Sequence, residues 1–250
     1  MILEICVDSV ESARAAENGG AQRIELCSAL SEGGITPSAG LIHAVRDAVT
    51  IDVFVIIRPR GGDFVYSEHE MDVMRNDILE AKARGVNGVV LGVLTADNVV
   101  DCASTESLVE LARPLQVTFH KAFDVCTDLD RALEDVIACG ADRVLTSGGK
   151  VDALRGADKI VRLNDRADGR IRIMAGGGIR ASNVRKVAIR TGIHEVHTSL
   201  SPTRTSYEGG GEPGSGMGGF ARYQVMERDV CAFKSALQDI PGAYARAPIE

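Results

Sequence analysis

Short apolar runs alternate with longer amphipathic stretches along most of the chain. Four of these runs follow the same local pattern, a glycine, a turn of two or three residues and a short strand, at 20–26, 85–91, 140–146 and 192–197. A glycine at this place is typical of the end of a preceding helix. The four patterns start 65, 55 and 52 residues apart, and a strand–helix unit takes roughly 30 residues. Each interval therefore has room for two such units.

Further apolar runs fill the intervening places, at Ile2–Val7, 53–58, 117–120 and 171–175. Amphipathic patterns predict helices at 9–18, 38–49, 67–84, 104–111, 129–139, 151–163, 181–190 and about 223–237. Eight strands alternating with eight helices predict an α/β fold, a (β/α)₈ TIM barrel formed by residues 1–250 as a single domain. A doubly wound open sheet is the alternative, but no Gly-x-Gly-x-x-Gly motif follows the first strand. The glycine-rich stretch 201–219 predicts a flexible loop between the eighth strand and the last helix.

The composition narrows the possible functions. The 250 residues carry a net charge of −7, which disfavours binding to nucleic acid or to an anionic membrane surface. No apolar run approaches the ~20 residues that span a bilayer, and the N-terminus has no signal-like segment, so we expect a cytoplasmic protein. The six cysteines form no C-x-x-C motif, and we expect free thiols rather than a zinc site or disulfides.

In a TIM barrel the chemistry lies at the carboxyl ends of the strands, here called the mouth. The strand 53–58 ends in Arg58, and Arg60 lies two residues further on, so both guanidinium groups point the same way on an extended chain. We expect them to bind a small anionic ligand at the mouth, although Arg58 and Arg60 could instead be structural and neutralise Glu4 and Glu25 inside the barrel.

Further candidates for catalysis lie at neighbouring strand ends. His120 ends the fifth strand and is predicted to act as a general acid or base, tuned by Asp124 or Glu25. A histidine that only hydrogen-bonds across the strand ends is the alternative. With Arg58 and Arg60, these residues suggest an enzyme for a small phosphorylated or carboxylated substrate, acting by isomerisation, aldol-type cleavage or hydrolysis.

A glycine run, Gly176, Gly177 and Gly178, follows the seventh strand. The loops after strands seven and eight form the usual phosphate site of this fold, and glycines let backbone amides approach an anion closely. The run therefore predicts an anion- or phosphate-binding loop, with a plain turn as the alternative.

Two adjacent strands repeat a Glu-x-Cys pattern, which places Cys6 and Cys27 near the mouth on the inward face. Two neighbouring thiols suit Cu(I), a soft ion. The alternative is that small buried cysteines simply pack well.

Six motifs of the chain, taken together, resemble those of one known family. They lie at 19–27, 32–38, 57–64, 117–124, 145–148 and 173–178, in order and with similar spacing, and they resemble the CutC copper-homeostasis proteins. The resemblance implies a TIM barrel, a cytoplasmic location, a homodimer or homotetramer, and an association with copper. It also implies that Cys6 and Cys27 stand where the family has been thought to bind Cu(I). Lys121 stands where the family usually has arginine.

Overall fold

The computed structural model describes residues 1–200, 203–206 and 221–238. Eight parallel strands close into a barrel in chain order, with the eighth paired to the first, which confirms the predicted fold. The strands are β1 (Ile2–Val7), β2 (Arg23–Leu26), β3 (Asp52–Ile56), β4 (Gly88–Leu91), β5 (Gln116–Phe119), β6 (Arg143–Thr146), β7 (Arg172–Ala175) and β8 (Glu195–Thr198).

Helices cover the outside of the barrel and bury the apolar outer faces of the strands. They are α1 (Val10–Asn18), α2 (Ala39–Ala48), α3 (Glu68–Ala83), α4 (Cys102–Ala112), α5 (Leu129–Ala138), α6 (Ala157–Ala167), α7 (Val184–Thr191) and α8 (Glu227–Ala236). α3 begins with a capping box, in which Ser67 and Glu70 bind each other's backbone amides. Among the described residues, no helix has the length and apolar character that a membrane span requires.

Three helices, α6, α7 and α8, start three or more residues later than the sequence pattern predicts. The segment before α6 turns because Gly156 packs on Ser147, whose carbonyl oxygen would lie 1.8 Å from a Cβ at position 156. The segment before α8 is a strand, β10 (Ala221–Gln224), paired antiparallel with β9 (Thr203–Ser206). Apart from β9, the predicted flexible loop 201–219 lies outside the described residues.

A layer of charged side chains crosses the barrel interior below the mouth. Arg23 donates hydrogen bonds to Glu4 and Glu195, and Arg143 donates to Glu195 as well. The ring of Phe54 lies 5.0 Å and 5.3 Å from the two guanidinium carbons. An unpaired buried charge would cost several kcal/mol, so this pairing allows four ionised groups to sit inside the barrel.

Arg58 takes no part in this layer, and the interpretation that it neutralises Glu4 and Glu25 is wrong. Glu4 is already held by Arg23 and by His197. The Arg58 guanidinium binds backbone carbonyl groups of the loops at the mouth instead.

Candidate functional site

A cavity of about 740 Å³ opens at the carboxyl ends of the strands, within the range typical of small-molecule sites. Five of the predicted site residues line it: Cys6, Glu25, Arg58, His120 and Asp124. Cys27 lies buried directly behind Cys6, whereas Arg60 and the glycine run of 176–178 are not part of the cavity wall.

The two cysteines form a contact pair at the base of the cavity. The Sγ atoms of Cys6 and Cys27 are 3.4 Å apart, and the Cys27 Sγ lies 3.5 Å from Glu25 Oε2. Strand pairing explains the contact, because β1 and β2 are in register with Cys6 opposite Glu25 and Cys27 two residues further on. Gly34, with φ of +87°, closes over Cys27, since a Cβ there would be 3.2 Å from the Cys27 Sγ.

Both thiols are held in the protonated form. The hydrogen bond from Cys27 tends to lower the pKa of Cys6, but burial and the charge of Glu25 outweigh it and raise the pKa. The hydrogen bond with Cys6, burial and Glu25 all raise the pKa of Cys27 well above its usual value. In the part of the chain that the structure describes, Cys6, Glu25 and Cys27 are the group of ligand atoms close enough together to hold a metal ion.

His197 connects the thiol pair to the charged layer. Its Nδ1 lies 2.7 Å from Glu4 Oε1 and its Nε2 lies 3.7 Å from Glu25 Oε2. Burial lowers the pKa of His197, but the two carboxylates outweigh it and raise the pKa. Burial alone would raise the pKa of Glu4, yet Arg23 and His197 bring it down to about 2. Burial raises the pKa of Glu25, which has weaker partners.

Arg58 is fastened to the loops above the cavity. Its Nη1 donates to the carbonyl oxygens of Glu32 and Gly34 at 2.7 Å and 3.0 Å, and its Nη2 donates to that of Gly62 at 2.8 Å. Its guanidinium carbon lies 5.1 Å from the centre of the Phe64 ring. These contacts fix the side chain and leave its Nε without a hydrogen-bond partner among the described residues.

His120 lies in the wall beside Arg58, with only 5% of its surface exposed. Its Nδ1 accepts a hydrogen bond from the Ala122 backbone amide at 3.2 Å, which places the proton of the neutral ring on Nε2. Burial, reinforced by the charge of Arg58, lowers the pKa of His120 to about 3. The ring therefore stays neutral at physiological pH and offers an N–H group rather than a proton-accepting nitrogen.

Asp124 organises a loop and does not contact His120. Its carboxylate accepts hydrogen bonds from the Thr146 hydroxyl, from the amide and hydroxyl of Ser147 and from the Gly149 amide. It occupies the anion-binding position that these backbone amides create after β6. The predicted tuning of His120 by Asp124 or Glu25 has no supporting contact among the described residues.

Arg60 turns away from the mouth. It binds Glu70 at 2.6 Å and Asp63 at 2.9 Å, and its guanidinium lies over the Tyr66 ring. The expectation that Arg58 and Arg60 point the same way is wrong, because β3 ends at Ile56 and both arginines lie in the loop beyond it.

The glycine run after β7 contains two left-handed residues, Gly177 and Gly178, with φ of +95° and +64°. A Cβ on Gly177 would lie 3.2 Å from Lys121 Nζ. Lys121 lines the cavity, as does Lys150, which sequence reasoning did not single out. The run's role in binding an anion stays a prediction.

Sequence reasoning also missed the inward residues of β6. The charged residue of this strand inside the barrel is Arg143, which is buried and donates to Glu195. A sequence signal existed, because Arg143 begins a short apolar run and side chains two residues apart on a strand, such as Arg143 and Leu145, share a face.

The comparisons with known proteins point to one family. A family model described as the CutC family matches residues 1–201. A copper homeostasis protein cutC homolog from Homo sapiens is 52% identical over 205 residues, covering 82% of this chain and 75% of that protein. A family protein CutC from Chromobacterium violaceum is 45% identical over 241 residues, covering 94% and 98% of the two chains.

Solved structures agree with this result. A CutC protein from Streptococcus agalactiae matches with a TM-score of 0.77 and 33% identity, covering 80% of this chain and 99% of that chain. A thiamine phosphate pyrophosphorylase from Pyrococcus furiosus matches with a TM-score of 0.57 at 21% identity, which shows the shared fold alone. The chain, with its closed barrel and the paired thiols at its mouth, belongs to the CutC family.

Proposed function

We propose that this protein binds and handles Cu(I) in the cytoplasm as part of copper homeostasis, with Cys6 and Cys27 as the ligands. The observation that carries the proposal is the 3.4 Å contact between the two Sγ atoms, which are buried at the wall of the cavity that Cys6 lines. Thiolate sulfur is a soft ligand that selects Cu(I). The names of the relatives, which refer to copper homeostasis, support the same metal.

The environment of the two thiols determines how the affinity for Cu(I) depends on pH. Because the pKa of each thiol is raised, binding must release protons, and affinity must rise with pH. Glu25, whose pKa is also raised, lies 3.5 Å from the Cys27 Sγ and is a fitting acceptor for one of those protons. A cytoplasmic location fits as well, since thiols stay reduced there.

A competition titration tests the proposal. Reduced protein is titrated with Cu(I) against a chelator of known affinity, and Cys6→Ser combined with Cys27→Ser is compared with wild type. We expect the double variant to lose at least about 100-fold in affinity, because even residues outside the ligand shell contribute 10–100-fold. Cys102→Ser combined with Cys231→Ser is the matched control, since both of those thiols are exposed. Equal Cu(I) affinity in the Cys6/Cys27 double variant and the wild type would show that these thiols are not the binding site.

A second candidate function is supported by a different observation. Arg58 and His120 both line the cavity, and Arg58 brings to it a positive charge that a copper carrier does not require. We propose as the alternative an enzyme acting on a small phosphorylated or carboxylated substrate, tested by screening for turnover in metal-free protein. Assembly as a homodimer or homotetramer also stays a prediction, which size-exclusion chromatography with light scattering checks.

A further inference from the structure

Two cysteines that take no part in the proposed copper site lie together on the outside of the barrel. Cys102 is the first residue of α4, and Cys139 is the residue that follows α5. The two helices pack against each other in the outer layer. The Cys139 Sγ lies 3.6 Å from the carbonyl oxygen of Cys102. The fold therefore brings together two thiols that are 37 positions apart in the chain.

The two side chains differ in their access to solvent. Cys102 is exposed, whereas Cys139 is buried, with 5% of its surface exposed. The Cys102 Sγ lies 3.7 Å from the carbonyl oxygen of Val100. Because the carbonyl carbon and the Cβ of Cys102 are attached to the same Cα, rotation about the Cα–Cβ bond brings its Sγ within reach of the Cys139 Sγ. A reagent in solvent meets Cys102 first and reaches Cys139 only through it.

The environment of Cys139 keeps its thiol protonated while Cys102 is unmodified. Burial raises the pKa of Cys139 to about 12, and the neighbouring Cys102 thiol and the charges of Glu106 and Asp135 act in the same direction. A thiol is a much weaker nucleophile than a thiolate, so Cys139 does not compete for a reagent in solvent. Its place beside Cys102 gives it a high effective concentration toward a group attached to the Cys102 sulfur.

The other cysteines lack this combination. Cys6 and Cys27 are both buried. Cys126 is buried as well, and its Sγ contacts the carbonyl oxygen of Ala122. Cys231 is exposed on α8, and among the described residues no second thiol contacts it. An accessible thiol beside a second thiol that can displace its modification is typical of redox-responsive sites.

We infer that Cys102 and Cys139 form a reversible disulfide on the outer face of the barrel, by exchange with a low-molecular-weight disulfide such as glutathione disulfide. Cys102 loses its proton and attacks one sulfur of that reagent, which forms a mixed disulfide and releases one thiol. Cys139 then attacks the Cys102 sulfur, its proton passes to the departing thiolate, and the protein disulfide closes. Two protein thiols are oxidised while one reagent disulfide is reduced to two thiols. The site is independent of both candidate functions at the mouth.

Reaction of reduced, metal-free protein with glutathione disulfide tests the inference. Samples are quenched with acid at intervals, digested under acidic conditions and mapped by mass spectrometry. We expect Cys102 to carry glutathione briefly and then to be joined to Cys139. Cys231 is the control within the same molecule and should keep its glutathione, because no second thiol lies beside it.

Single substitutions then assign the two roles. Cys139→Ser should leave glutathione on Cys102, so the fraction of Cys102 that carries it should rise at least about 10-fold over wild type, since attack by a neighbouring thiol has a large effective concentration. Cys102→Ser should leave Cys139 unmodified, because its thiol is buried. Cys231→Ser is the matched control variant and should form the Cys102–Cys139 disulfide as the wild type does.

The wild-type map decides the inference even if a variant does not fold. Failure to recover the Cys102–Cys139 disulfide, or glutathione that persists on Cys102 as long as on Cys231, overturns it. Modification of Cys139 in Cys102→Ser at the rate of Cys231 overturns the order of the two steps and with it the inference. The Cys6→Ser, Cys27→Ser double variant should form the same disulfide, so failure of the copper proposal leaves this result intact.

Discussion

The neutral burial of His120 predicts a specific loss of stability in mild acid. An unfolded histidine titrates near 6.5, whereas in the folded protein burial and the charge of Arg58 lower the pKa of His120 to about 3. Between these two values the unfolded state binds a proton that the folded state does not. Stability therefore falls as the pH is lowered from about 6.5 towards about 3, and rises with pH in the same window.

The size of this effect follows from the two pKa values. From pH 7.5 to pH 5.0 the proton on the unfolded histidine contributes about 2 kcal/mol of destabilisation, by the linkage relation for one group. A folded pKa anywhere below about 4 leaves this figure nearly unchanged, because His120 would still be neutral in the folded protein at pH 5.0. Replacing His120 with asparagine, whose side-chain oxygen can still accept from the Ala122 amide, should remove it.

The assay is urea unfolding of wild type and His120→Asn at pH 7.5 and pH 5.0. We expect the wild type to lose about 2 kcal/mol more than the variant between these two values, whatever the variant costs at pH 7.5. His69→Asn, which removes an exposed histidine, is the control and should follow the wild type. If the free energy of unfolding changed with pH equally in wild type and His120→Asn, His120 would not be a neutral, buried imidazole in the folded protein. The argument that it acts as a hydrogen-bond donor would then be weakened.

Two further substitutions test the packing around the site. Gly92→Ala should lower the free energy of unfolding in urea by about 1–3 kcal/mol, because the new methyl group overlaps His120. Gly40→Ala, in an open part of α2, is the control and should show no such loss. Glu195→Gln should lower the free energy of unfolding by about 3–5 kcal/mol, since it leaves Arg143 buried without its carboxylate partner. An unfolding midpoint within error of wild type would show that the charged layer contributes little to stability.

Local patterns were enough to predict the architecture and many of the residues whose side chains point into the barrel. A glycine before each even-numbered strand and the alternation of strand and helix are short-range features, and they predicted the eight-stranded barrel that the structure shows. Side chains alternate along a strand as a matter of backbone geometry. For this reason Cys6 and Glu25 could be assigned to the inside of the barrel from the sequence alone.

The alternation of side chains predicts their direction only within a strand, not in the loop beyond it. β3 ends at Ile56, so Arg58 and Arg60 lie in a loop whose path depends on distant partners. Arg58 is held by carbonyl groups of the loop after β2, and Arg60 is held by Glu70 at the start of α3. Their different directions follow from those contacts rather than from their spacing.

The sequence by itself determined the barrel, the position of the two cysteines at the ends of adjacent strands and the presence of charged residues inside, because these depend on local conformation. Only the tertiary structure decided which groups meet. Barrel closure and strand register place the Cys6 and Cys27 sulfur atoms 3.4 Å apart and pair Arg143 with Glu195 from a strand two places away. The same closure buries one nitrogen atom of Arg58 and one of His120 without a hydrogen-bond partner among the described residues. Whether a polar group is satisfied depends on every element around it, which no local pattern contains.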